Sequence, residues 1–259
     1  MNKLLKIEFE KIKNYRTFWV LVILNFVLLS MVVSGAGNFS LGLNKRNIDF
    51  SKFGIYNYPN IWHNVTYIAS WFKLILAVLV IILITNEFEF RTIRQNIIDG
   101  LSRADFILSK IVSVLLLSIL STIYVLLLIL IFGVKDPSSM EFNSVISGST
   151  FIFGYFIQLF AFLAFAFLIG FLVKRSGLAI GLLLLYTWVI EPIISYKLPD
   201  TIAPYLPLNT IGNLISSPFQ ELLGMPQQEF VSAADIFISL LYALLFFFLS
   251  YVIFKKRDI

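Results

Sequence analysis

Charged side chains are scarce in this sequence, yet seven of them crowd into twenty residues. The segment Asn86–Asp105, NEFEFRTIRQNIIDGLSRAD, carries Glu87, Glu89, Arg91, Arg94, Asp99, Arg103 and Asp105. Carboxylates and guanidiniums at this density suit charge-assisted hydrogen bonding, to one another or to a second protein. No catalytic constellation accompanies them. The chain has a single histidine, His63, no cysteine, no H-E-x-x-H and no paired acids within an apolar run. It also lacks the G-x-x-x-x-G-K-[ST] loop that cradles nucleotide phosphates. The expectation is a non-enzyme with no catalytic residue, no metal site and no cofactor of its own.

Two ionisable residues lie elsewhere, inside apolar runs: Lys73 and Glu191, the latter followed by Pro192. A charge near the centre of a bilayer costs roughly 2.5–3.5 kcal/mol and marks a functional candidate. Each has two readings. Lys73 either snorkels outward along its aliphatic stem or is held inside the bundle for function. Glu191-Pro192 is either a pathway or gate element, or a wet helix end broken by the proline.

The remaining composition explains why these few charges stand out. Of 259 residues, 59% are apolar and 14% are charged. Soluble domains carry about 25% charged residues, so this chain cannot cover a water-facing surface and reads as an integral membrane protein. Its net charge of +5 is spread over the ends of apolar runs, which argues for lipid contact and against nucleic acid. Six runs meet the roughly 17–25 residues needed to cross hydrocarbon: 17–33, 65–85, 107–134, 149–173, 177–194 and 236–254. The fourth is rich in Phe. Gly177-x-x-x-Gly181 in the fifth permits close helix approach. The expected fold is an all-α integral membrane protein forming one domain over residues 1–259.

Three connecting regions complete it. In residues 1–16, Leu5, Phe9 and Ile12 fall on one helical face, giving an amphipathic helix suited to the membrane interface. Segment 34–58 reads as a polar loop. Segment 196–230 contains five prolines and reads as short helices or a re-entrant hairpin. Fourteen of the twenty Lys and Arg fall at the N-terminus, in the 86–105 loop with Lys110 just beyond it, at the Lys174-Arg175 turn and at the C-terminus. By the positive-inside rule these regions and both termini are cytoplasmic, and 196–230 is extracytoplasmic.

Within the charged loop, Phe90, Ile93, Ile97 and Leu101 recur at helical spacing, Gly100 stops the helix, and Ser102-x-x-Asp105 forms a capping box. This describes a short amphipathic helix with apolar residues toward the spans. The residues Glu87/Glu89, Thr92-x-Arg94, Gly100, Ser102-Arg103 and Lys110 resemble the signature of ABC-2 type permeases, the membrane subunits of ABC exporters. Arg91 departs from the Gly that many bacterial members carry before the Thr. The N-terminal helix, six spans, Tyr205-Leu-Pro207 in a long outer connection and a basic C-terminus are similar to that family over nearly the whole chain.

The resemblance implies a multi-pass protein of the bacterial cytoplasmic (inner) membrane. The loop would be a coupling helix between spans two and three, docking on a separate cytosolic ABC ATPase. ATP and Mg would bind that partner, and a second permease copy or paralogue would complete a dimer. The residues implied in coupling are Glu87, Glu89, Thr92, Arg94, Ile97, Gly100, Ser102 and Arg103. Arg94 and Arg103 are expected to contact the ATPase or Glu87 and Glu89. Two other readings stay open at this point: a non-transporting membrane anchor that transmits ATPase-driven motion, and a secondary transporter.

Overall fold

The structure is a computed structural model that describes residues 10, 13–36, 40–43, 46–49, 55–90, 92–98, 100, 102–134, 142–218 and 228–256. The interfacial helix expected over 1–16 lies largely outside these residues. Among the described residues six helices are long and apolar enough to cross a membrane: Arg16–Ala36, Asn60–Glu89, Arg103–Gly133, Val145–Val173, Ser176–Lys197 and Ala233–Lys255. The protein is therefore a multi-pass membrane protein, with spans where the apolar runs place them.

In chain order, α1 (Arg16–Ala36) is followed by a two-stranded antiparallel hairpin, β1 (Ser40–Leu43) and β2 (Arg46–Asp49), which pairs Ser40 with Asp49 and Leu43 with Arg46. The hairpin departs from an all-helical chain. The segment lies between apolar spans, where the hydrocarbon restriction to helices and closed barrels does not apply and a short open ladder is permitted. Then come α2 (Asn60–Glu89), α3 (Thr92–Ile98), α4 (Arg103–Gly133), α5 (Phe142–Ser147) and α6 (Thr150–Val173). The fifth span consists of α7 (Ser176–Leu185), a π-helical turn Tyr186–Ile190 and α8 (Glu191–Lys197). A 3-10 turn Ala203–Tyr205 and α9 (Pro207–Asn213) precede α10 (Ala233–Lys255). Segment 196–230 thus contains short helices, as its prolines require.

α6 is the hub. Its span is 72% buried, against 17% for the fifth span and 22% for α1. It packs most extensively on α2 and α10. The Phe-rich sequence explains how: Phe167 meets Phe171 and Phe247, Phe165 meets Phe246 and Tyr186, and Phe171 meets Phe88 and Phe254, with ring centroids 4.9–5.7 Å apart. In hydrocarbon, helix association draws on packing rather than water exclusion, and interlocked rings supply it. Phe153, near the start of the helix, turns outward instead and is exposed.

Small residues allow the closest approaches, though not where the spacing suggests. A Cβ added at Gly177 or Gly181 would meet nothing within 4 Å. That glycine pair mediates no contact among the described residues. A Cβ at Gly148 would lie 2.5 Å from Trp62 Cδ1 and 3.0 Å from the Pro59 carbonyl. Trp62 cannot yield easily, since its indole Nε1 donates to the Val145 carbonyl at 2.9 Å. Gly148→Ala is expected to destabilise the fold by about 1–3 kcal/mol through overpacking. Thermal unfolding in detergent checks this, with Gly177→Ala as the silent comparison.

Candidate functional site

α2 runs on past its apolar segment. At ~1.5 Å per residue its thirty residues extend ~45 Å, well beyond the ~30 Å of hydrocarbon. Asn86, Glu87 and Glu89 therefore belong to the last turns of α2, not to the loop. Phe90 caps the helix, its N–H bonding the Asn86 carbonyl at 2.9 Å. After Phe90 the chain starts a separate seven-residue helix, α3. This break shifts the register. Ile93 is buried at 3% exposure, but Phe90 is 69% exposed rather than packed against the spans, and Ile98 is 83% exposed.

Gly100 ends the segment at φ +90, a left-handed conformation that suits glycine. Ser102 then caps α4. Its Oγ accepts the Asp105 N–H at 3.1 Å and its hydroxyl donates to Asp105 Oδ2 at 2.6 Å. The glycine stop and the capping box sit where the sequence puts them.

The centre of the site is Glu87. Its carboxylate is 6% exposed, and the Lys110 ammonium, also 6% exposed, donates to Oε1 at 2.5 Å. The Thr92 hydroxyl donates to Oε2 and lies 3.3 Å from the Glu87 carbonyl. Lys110 also stands over the Phe106 ring, 5.6 Å from its centroid. One buried carboxylate thus joins the end of α2, the first residue of α3 and the second turn of α4. Burying such a pair is tolerable only because each charge is met and hydrogen-bonded.

Around this centre the helix ends are tied together. Asn86 Nδ2 donates to the Tyr15 hydroxyl at 2.8 Å, and Arg103 Nη1 donates to the Lys255 carbonyl at 2.5 Å. These contacts bring the start of α1, the end of α2, the start of α4 and the end of α10 to one face of the bundle. Arg103 thus reaches the end of α10 instead of Glu87 or Glu89. Glu89 is exposed, Thr92 and Arg103 are half-buried, and Gly100 and Ser102 are exposed. The backbone of Arg94 and Ile97 is helical; their side chains lie outside the described residues. Lys110 is the residue whose weight the spacing understates. It is 23 positions from Glu87, beyond any local rule, and only its place in the resemblance signals it.

Glu191 and Pro192 are near the other end of the bundle. The π-helical turn delivers Glu191, whose N–H bonds the Tyr186 carbonyl. Such bulges recur at functional positions. Glu191 is 1% exposed, so the reading of a wet helix end is corrected. Its Oε1 accepts the Asn209 N–H at 2.8 Å in the first turn of α9, with the Leu208 N–H and the Tyr186 hydroxyl beside the carboxylate. Asn209 in turn donates to Ser195 Oγ and the Ala203 carbonyl, both at 2.9 Å. The carboxylate acts as an N-cap supplied by a different segment. Nearby, His63 stacks on Phe151 at 4.4 Å and its Nε2–H donates to the Ser216 carbonyl at 2.8 Å. His63 therefore fixes the same connection against α2 and α6.

Lys73 does not snorkel away from the bundle: its ammonium lies over the Phe162 ring, 5.1 Å from the centroid. An apolar cavity of about 580 Å³ lies between α1 and α2, lined in part by Val32, Ile68, Trp71, Phe72 and Pro218. Among the described residues no group of three or more His, Cys, Asp and Glu is placed to hold a metal.

Residues 27–259 match a protein family described as "Protein of unknown function (DUF2705)". No curated protein matches the chain.

Proposed function

The chain belongs to the DUF2705 family, whose description assigns no activity, and we propose on its own residues that it is the permease subunit of an ATP-driven ABC exporter. The observation that carries this reading is the Glu87–Lys110–Thr92 junction. It makes α3 an extension of two spans, α2 and α4, rather than a loose loop. A push on α3 from a docked protein is then delivered to both spans as rigid bodies, the kind of coupled motion that alternates access. The residues that build the junction, Glu87, Thr92 and Lys110, belong to the pattern that resembles ABC-2 type permeases.

In this reading the face carrying α3 is cytoplasmic, by the distribution of Lys and Arg. A separate ABC ATPase docks there and holds the ATP and Mg; this chain supplies no phosphate loop. A second copy or a paralogous permease completes the transporter in a bacterial cytoplasmic membrane. Helix α3, the element that carries Arg94 and Ile97, is the docking element, with Glu89 and Gly100 at its edges. Arg103 and Ser102 fix the start of α4.

Affinity purification of the tagged chain from its native membrane in mild detergent tests this. An ABC-type ATPase is expected among the co-purifying proteins. Arg94→Glu and Ile97→Asp are each expected to reduce its recovery at least tenfold. Equal recovery with both variants, or no such ATPase at all, removes the docking role.

A further inference from the structure

Lys73 lies well inside its span and contacts a residue well inside another. It is the fourteenth of the thirty residues of α2, and Phe162 beneath its ammonium is the thirteenth of the twenty-four of α6. At ~1.5 Å per residue each position is more than ~15 Å from either end of its helix. Within the apolar run 65–85 Lys73 is eight residues, ~12 Å, from one end and twelve, ~18 Å, from the other, farther than its flexible stem spans.

Among the described residues no acid is placed to neutralise it. Of the fifteen Asp and Glu, five fall within the described spans. Glu87, Glu89, Asp105 and Asp235 occupy first or last turns, and Glu191 is near the end of the fifth span, bonded to Asn209. The others lie in connections and at the termini. Among the described residues no carboxylate pairs with Lys73. A second copy has the same sequence, so it brings no mid-span acid either.

The surroundings are suited to a ligand. Residues 71–75 are all exposed or half-buried, whereas 76, 77 and 79–81 are buried, so the packing around α2 opens at the level of Lys73. On α6, Gln158 lies one turn from Phe162 on the same face, is 1% exposed, and its Oε1 is buried without a hydrogen-bond partner. Its carboxamide offers N–H donors as well as an acceptor, and the two ends exchange by a simple flip.

We propose that Lys73, held over Phe162 and flanked by Gln158, receives the anionic group of an amphipathic molecule whose hydrocarbon body lies beside it. The ring face steadies the ammonium and leaves N–H donors free for a carboxylate or phosphate. That this molecule is the cargo rests on the export reading; that it binds does not.

The test uses the purified full chain in nanodiscs of phosphatidylcholine, without any ATPase. A photoreactive fatty acid is displaced by oleate, oleyl phosphate or oleyl alcohol. The anionic competitors are expected to act at least tenfold more strongly than the alcohol. Lys73→Met and Lys73→Gln are expected to abolish that preference and Lys73→Arg to keep it. Preference for oleate alone assigns a carboxylate, and for oleyl phosphate alone a phosphate. Equal displacement by the alcohol in the unaltered protein, or a preference that survives in both neutral variants, overturns the proposal. Because binding is read directly, failure here is distinct from failure of the ATPase to co-purify.

Discussion

Replacing Lys110 by methionine is expected to destabilise the protein by about 3–5 kcal/mol. The side chain that remains is of similar length, so little packing is lost. What is lost is the ammonium that faces Glu87 Oε1 at 2.5 Å in a site only 6% exposed. A buried carboxylate deprived of its counter-charge must take a proton or draw in water, and either loosens the junction. Glu87→Leu leaves the converse defect, a buried ammonium. The double replacement Glu87→Leu with Lys110→Met removes both charges and is expected to recover most of the loss, because a buried ion pair is often no more stable than well-packed apolar residues.

Thermal unfolding in detergent gives the stabilities, and the four-protein cycle isolates the pair. If Lys110→Met melts like the unaltered protein, the junction does not hold α2 and α4 together. The double variant separates stability from coupling. On the export reading it is expected to fold yet to lose ATPase-coupled activity, since Thr92 no longer has a carboxylate through which to anchor α3.

The second large effect is expected at Glu191. Glu191→Leu removes the acceptor for the Asn209 N–H and strands a polar group in a buried position. The loss is expected to be about 1–3 kcal/mol. It is expected to be local: α9 frays at its first turn while the bundle persists. Amide hydrogen exchange reads this directly, with faster exchange at Leu208–Ile211 and little change in α6. Glu191→Gln keeps an acceptor oxygen and is expected to stay within about 1 kcal/mol of the unaltered protein. Unchanged exchange at 208–211 in Glu191→Leu would remove the capping role. On the export reading, a Glu191→Gln protein that is stable but does not transport assigns the charge a separate part in the pathway.

Much of this was legible in the residues. Whether a segment enters lipid depends on a sum of per-residue transfer terms, and six long apolar runs with charges mostly at their ends leave few alternatives. Helix ends are equally local. Ser102 and Asp105 satisfy each other within one turn, Gly100 takes a positive φ, and the prolines of 196–230 forbid one long helix. The sequence also singled out Glu87, Thr92 and Lys110, through their likeness to a known pattern.

Tertiary structure decided what those residues touch. Periodicity carried Phe90 onto the face of Ile93, but a helix end at Phe90 separates them. Gly177 and Gly181 have the spacing of a packing motif and meet nothing, while Gly148, in no motif, lies against Trp62. Apolarity is high in every span, so it could not reveal that α6 is enclosed and the fifth span is not. Nor could it pair Glu87 with Lys110, seat Lys73 on Phe162, or turn Glu191 from an exposed helix end into the cap of α9. The physical reason is the same in each case. Insertion and capping depend on a residue and its near neighbours, whereas a partner across the bundle depends on how whole helices rotate and slide to fit their rings and glycines together.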